Sequence, residues 1–98
     1  MLAKLFPFPL RPGTQAEAER LARQFACAGP AREDGTQSFR IYRDPARPDY
    51  LLFVGHFADH AAYDRHTRSA AYQHLMAGKF ADLILEFVEI DHELVVSH

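Results

Sequence analysis

The chain has 98 residues, 48% of them hydrophobic and 24% charged, and its 11 Lys+Arg against 13 Asp+Glu give a formal charge of −2. That size supports a single modest core which a partner subunit would extend, so residues 1–98 are expected to form one domain, with no room for a second. A near-neutral balance with aspartates among the arginines excludes a nucleic-acid binder and a polybasic membrane surface. The longest apolar run, residues 51–54, falls far short of the roughly 20 needed to span a bilayer. Residues 1–7 carry one early charge, a proline and no small-residue cleavage site, so no signal peptide is expected. Cys27 stands alone and cannot form an internal disulfide, which makes the cytoplasm the default address.

Residues 2–10 read as a first strand, which Pro7 and Pro9, lacking ladder donors, push towards an edge or an irregular pairing. Thr14 and Glu17 have capping-box spacing, and Ala18, Leu21, Ala22, Phe25 and Ala28 then fall on one helical stripe that Gly29-Pro30 stops. Residues 36–43 alternate as a strand, 44–49 read as a turn, and 50–57 pair back as a third strand with apolar residues on both faces, to be covered on both sides. Asp59 is placed to cap a short helix running through His66. Ser69 is placed to cap a longer helix carrying Tyr72, Leu75, Met76, Phe80 and Leu83. Residues 87–96 alternate as a last, half-buried strand with Val88, Ile90, His92, Leu94 and Val96 in its inward row.

The resulting order, β-α-β-β-α-β, predicts an α+β fold of the ferredoxin-like, split βαβ type: a four-stranded antiparallel sheet with two helices on one face. Two helices leave the other face bare. An apolar, aromatic face on so small a domain predicts a protein partner, most simply a second copy.

The segments Pro12-Gly13, Gly35-Thr36-Gln37-Ser38-Phe39, Tyr42-Arg43-Asp44-Pro45, Phe57-Ala58-Asp59-His60-Ala61-Ala62-Tyr63 and His66-Thr67-Arg68-Ser69-Ala70-Ala71-Tyr72 resemble the antibiotic biosynthesis monooxygenase family over nearly the whole chain. The most telling part is a third strand ending in an aromatic residue, then Asp, an Ala within the next helix, and His-x-x-Ser-x-x-aromatic. The resemblance implies a ferredoxin-like domain that pairs sheet to sheet into a homodimeric α+β barrel, with a pocket between sheet and helices in each subunit. It also implies oxidation of a small aromatic phenol or hydroquinone by O₂, without metal or organic cofactor. In such chemistry the ionised substrate reduces oxygen, and the protein positions a ring and moves protons.

Within that frame His66 is the candidate catalytic base, since imidazole titrates near neutral pH. The structural alternative is a histidine that caps the short helix and hydrogen-bonds backbone. Tyr72 is a second candidate, to orient a ring or relay a proton; the alternative is an aromatic of the buried stripe. Phe6, Phe8, Phe39, Phe53 and Phe57 are candidates to line an apolar substrate pocket, or simply to fill the core of a domain without Trp. Phe57 takes the place where many family members carry Trp.

No metal site is expected. His56 and His60 straddle a strand-to-helix boundary, and His66 and His74 lie about two helical turns apart. His92 reads as an interface or core histidine. Arg43 and Arg47 read as turn residues in ion pairs with Asp44 and Asp49, whereas Arg40 points opposite Phe39, towards the dimer side. Cys27 has no adjacent activating base and reads as inert.

Haem degradation, known among relatives of the fold, is disfavoured: those relatives use an Asn on the first strand and a Trp at the end of the third, and this chain contains neither residue type. The principal alternative to a monooxygenase or quinol oxidase is a non-catalytic dimeric small-molecule-binding module of the same fold.

Overall fold

Alternate residues of a strand point to opposite faces of its sheet, and the fold can be followed from that rule. In the computed structural model, which describes residues 1–30 and 33–98, the first and third strands alternate strictly between buried and half-buried positions. The elements run β1 (Leu2–Pro9), α1 (Gln15–Ala28), β2 (Thr36–Arg43), β3 (Tyr50–Phe57), α2 (His60–Thr67), α3 (Ala70–Ala77), α4 (Lys79–Leu83) and β4 (Ile90–Glu93). The strands form one antiparallel sheet in the order β2-β3-β1-β4. This is the α+β, ferredoxin-like arrangement expected from the sequence, with three short helices in the second crossover. Among the described residues no helix is long and apolar enough to cross a membrane.

The prolines of β1 act differently from expectation. β1 is an interior strand, paired over its full length with β3 and from Leu2 to Leu5 with β4. The carbonyls of Met1 and Pro9 accept from Leu94 and Leu85 on the β4 side, so odd positions of β1 direct their backbone polar groups that way. The ring nitrogens of Pro7 and Pro9 therefore face the β4 side beyond Leu5, where no strand asks for a donor. The prolines mark where β4 stops pairing. β4 is accordingly shorter than the expected 87–96 strand, and all four of its residues are exposed.

Two of the three expected caps are present. The side chain of Asp59 accepts from the Ala62 amide at 2.8 Å and that of Ser69 from the Tyr72 amide at 3.2 Å. Thr14 precedes α1 but makes no capping-box bond; its hydroxyl instead donates to the Arg11 carbonyl at 2.6 Å, closing the turn that leads out of β1. The long helix expected after Ser69 is broken at Gly78, whose extended backbone separates α3 from α4. A Cβ at that position would lie 2.5 Å from the His74 carbonyl oxygen, so only glycine fits the break.

Leu2, Phe6 and Phe8 of β1 and Leu51, Phe53 and Phe57 of β3 form the sheet's buried row, packed on Ala18, Ala22 and Phe25 of α1, Leu75 of α3 and Phe80 of α4. The opposite row, with Leu5, Leu52, Val54 and Tyr50, stays half-buried. Cover on both faces, expected for β3, is thus supplied by the chain on one face only. Ile90 and His92 of β4 lie opposite Leu5 and Ala3 and join this open row. His92 is an exposed residue of the open face and takes no part in the core.

These caps predict a contrast. Asp59→Ala should lower stability by about 1 kcal/mol, whereas Thr14→Ala, which frees no helix donor, should cost clearly less. Urea midpoints at fixed protein concentration check this; equal losses would show that the Asp59 cap carries no special weight.

Candidate functional site

His66 lies in the last turn of α2 with 2% of its surface exposed, and its ring centre is 5.1–6.0 Å from those of Phe25, Phe39, Phe57, Tyr63 and Tyr72. A buried imidazole needs a hydrogen-bond partner. The partner is a side chain rather than the backbone expected for a purely structural histidine: Nδ1 lies 2.6 Å from Oε1 of Glu33. An ionised carboxylate can only accept, so Nδ1 carries the proton and Nε2 is left as the ring's acceptor when His66 is neutral. Among the described residues Nε2 has no hydrogen-bond partner, and the ring borders a cavity.

Glu33 reaches this position through the turn before β2. Its backbone bonds to Pro30 and Thr36, the Thr36 hydroxyl donates to Oε1 at 3.3 Å, and Oε2 is buried without a partner among the described residues. Gly35 sits at φ 87°, and a Cβ there would lie 2.7 Å from that of Ala62. The turn can therefore approach α2 closely enough for Glu33 to reach His66 only because residue 35 is glycine.

The cavity beside His66 is walled by Phe6, Phe8, Phe39 and Phe53 from the sheet, together with Phe25, Tyr72, Leu75, Met76 and Phe87. Four of the five candidate phenylalanines thus meet at one space with His66 and Tyr72. Phe57 does not line it; its ring backs His66 and Tyr63 from the strand end. The free space is about 20 Å³, room for one water molecule and not for an aromatic ring. Phe87, 49% exposed, is the wall least held by the core, and it stands 5.8 Å from Phe6 and 6.1 Å from Phe8.

The segment bearing Phe87 is fastened by a polar cluster. Lys4 is 3% exposed and pairs with Glu89 and Asp91, each at 2.8 Å, with its ammonium 4.2 Å from the Tyr63 ring centre. The Tyr63 hydroxyl donates to the other Glu89 oxygen at 2.6 Å. Burial alone works against the Lys4 charge, but the bonds and charges of Asp91 and Glu89 outweigh it and hold its pKa above the ordinary 10.5. Burial and the bond to Glu89 likewise push the Tyr63 phenol well above its ordinary value, and burial with the charge of Glu89 raises that of Tyr72.

Glu33 gave no sequence signal, since a Glu in a turn looks solvated. Lys4 did, as a lone cation in the inward row Leu2, Lys4, Phe6, Phe8. The remaining candidates disperse. Arg40 is exposed on the open face opposite Val54. Arg43 pairs with Glu19 of α1 at 2.6 Å rather than with Asp44, and Arg47 lies over the Tyr50 ring. Asp49 accepts from the Gly13 amide, and His56 bonds Ser38 across the open face at 2.9 Å.

The cluster predicts an alkaline limit to stability. Lys4 stays protonated to higher pH in the fold than in the unfolded chain, so its contribution is whole below pH 10.5 and is lost as pH rises through the folded value. Tyr63 is held neutral in the fold while the unfolded phenol ionises from pH 10.0, which lowers stability over the same window. Urea unfolding at a series of alkaline pH values should show a fall that Tyr63→Phe flattens; an unchanged slope in that variant would contradict the assignment.

Comparisons with known proteins agree with this architecture. A protein from Shewanella oneidensis shares 21% identity at a TM-score of 0.89, covering 98% of this chain and 92% of its own. A candidate antibiotic biosynthesis monooxygenase from Nitrosomonas europaea shares 14% identity at a TM-score of 0.91, covering 98% and 100%. A protein from Mycobacterium tuberculosis shares 18% identity at a TM-score of 0.86, covering 98% and 96%. These likenesses are likenesses of fold, and a search among curated proteins gives no match. The sequence model named "Antibiotic biosynthesis monooxygenase" matches residues 1–78, from β1 to the end of α3, and therefore includes the Glu33 turn, His66 and Tyr72. The chain belongs to the antibiotic biosynthesis monooxygenase family.

Proposed function

We propose that the protein oxidises a small aromatic phenol or hydroquinone with O₂ and without a cofactor, using His66 as the base. The observation that carries this reading is the Glu33–His66 pair: Nδ1 is committed to a carboxylate at 2.6 Å, and the ring is one of the walls of an otherwise mostly aromatic cavity. A hydroquinone would lose two protons and two electrons to O₂, giving a quinone and hydrogen peroxide. A phenol would take one oxygen atom into the ring, giving a quinone, with the second oxygen leaving as water. Both begin with loss of the phenolic proton, which turns the ring into a good electron donor, and neutral Nε2 is the acceptor for it. Glu33 would steady the imidazolium so formed. The phenylalanines would hold the ring by its faces and edges.

A ring needs more than the space of one water, so binding requires that a wall move. Phe87, the most exposed of the walls, is the one that would swing outward, giving up its contacts with Phe6 and Phe8. The same tight packing favours a structural reading of His66, under which the protein would be the non-catalytic binding module.

A homodimer is the proposed assembly, formed by packing two open sheet faces together. Leu5, Leu52, Val54, Tyr42 and Ile90 share that face, and burying a large side chain is worth roughly 1.5 to 3 kcal/mol, so several per subunit offset the entropy of association. Light scattering at micromolar concentration should give the dimer mass, and Val54→Asp should halve it. A monomeric wild type would overturn this assembly.

Oxygen uptake with a panel of aromatic quinols tests the chemistry. His66→Ala should lower turnover by about 10²-fold or more with the fold intact, and Tyr72→Phe should cost less. Glu33→Gln should also slow turnover and should shift the pH profile, which a purely structural contact would leave in place. Equal rates for wild type and His66→Ala would make His66 structural. Absence of uptake with every compound would favour the binding module.

A further inference from the structure

We propose that the groove between α1 and the α3–α4 pair is a second binding site, whose ligand is an amphipathic carboxylate with a short alkyl or arylalkyl body. The groove lies on the helical side of the molecule, away from the open sheet face, so pairing of two sheets leaves it accessible. It stands independently of the reaction proposed for the aromatic cavity.

Its shape follows from small residues. At one end the helices touch: a Cβ on Gly29 would lie 2.7 Å from that of Ala71. Gly78 then breaks the second wall between α3 and α4, and from the Ala71 end towards Arg20 and Lys79 the helices enclose about 460 Å³, more than twenty times the space beside His66. That is the scale of small-molecule sites, roughly 300 to 1,000 Å³. The floor is apolar, made by Leu21, Phe25, Leu75 and Phe80, the last three of them buried in the core beneath.

The rim carries the opposite character. Arg20 of α1 and Lys79 of α4 both line the groove and Gln24 and His74 add polar groups, while the Glu17 carboxylate, outside the lining, pairs with Arg20 at 2.7 Å and is held below its ordinary pKa first by that bond and then by the charges of Arg20 and Lys79. Arg20 gives Nε and Nη2 to Glu17, at 3.0 and 2.7 Å, which leaves Nη1 to spare. Lys79 makes no direct ion pair among the described residues, and its charge acts on Glu17 only at longer range. With Glu17 offsetting one of the two cations, an apolar floor under a rim of one net positive charge matches a ligand with an apolar body and one anionic head. A neutral ligand would leave the rim unused, and a dianion or a long polymer would outrun that charge and a groove closed at its Gly29–Ala71 end.

Octanoate, hexanoate and 1-octanol serve as probes, followed through the backbone amide resonances of the intact protein. Octanoate should perturb residues 20–28 and 71–80 saturably and bind about tenfold more tightly than hexanoate, as two further buried methylenes require. The double variant Arg20→Gln/Lys79→Gln should weaken octanoate about tenfold and leave 1-octanol unchanged. Ala28→Trp, on an exposed position that lines the groove, should fill it and abolish binding of both while leaving the spectrum folded. The proposal fails if octanoate does not saturate at millimolar concentration, if its shifts centre on Phe39, Phe53 and Phe87, or if the acid and the alcohol respond equally to the loss of the two charges. None of these readouts depends on oxygen uptake, so failure here is distinguishable from failure of the proposed reaction.

Discussion

Phe8 ties the molecule together. Its ring meets Phe53 of β3 at 4.9 Å and Phe80 of α4 at 5.4 Å, both edge to face, and lies within 6.1 Å of Phe6 on its own strand and Phe87 near the C-terminus. A core built from large planar rings satisfies the quadrupole of each one by tilting its neighbours, and tilted rings do not fill space completely. The cavity beside His66 is what that packing leaves over. The candidate site is therefore built largely from core residues, and a ligand of any size can enter only by replacing a contact that now stabilises the fold.

Among the described residues two polar side chains enter this interior, Lys4 and His66, and each is matched by carboxylate from elsewhere in the chain. A buried ion pair is a weak source of net stability, because desolvation takes back much of the attraction. Its physical consequence is specificity. Lys4 without Glu89 and Asp91 would be an uncompensated charge under the sheet, so the C-terminal segment has to dock where it does, and Phe87 comes with it. The exposed β4, with four residues and no buried side chain, could not impose that position by burial.

The parts of the fold that were legible in the sequence are those with local causes. Period-two alternation located three strands well, Asp59 and Ser69 announced their helices, and the count of helices against sheet faces exposed the open face. His66, Tyr72 and four of the five phenylalanines do converge, because their rows and stripes were readable. What escaped depended on distant partners or on backbone geometry. Glu33 acquires its meaning from a residue 33 positions away and Lys4 from one 85 positions away. Pro7 and Pro9 looked like edge markers because the direction of each missing donor depends on strand order. Thr14 had the capping-box spacing, yet the turn at Pro12-Gly13 offered its hydroxyl the Arg11 carbonyl first.

The Glu33–His66 pair also limits what chemistry the site can perform. With Nδ1 held at 2.6 Å from a carboxylate, the ring is not free to present that nitrogen to the cavity, so in the proposed reaction one nitrogen would serve for both taking up and returning a proton. A single-nitrogen base can pass a proton from substrate to reduced oxygen only if both occupy the same small space in turn, or if a water carries it between them. The space beside the ring is the size of one water, and the walls around it are aromatic. Besides His66, Tyr72 is the only described wall residue that carries a polar hydrogen on its side chain, so in the proposed reaction proton traffic would be confined to these two side chains and the space they border.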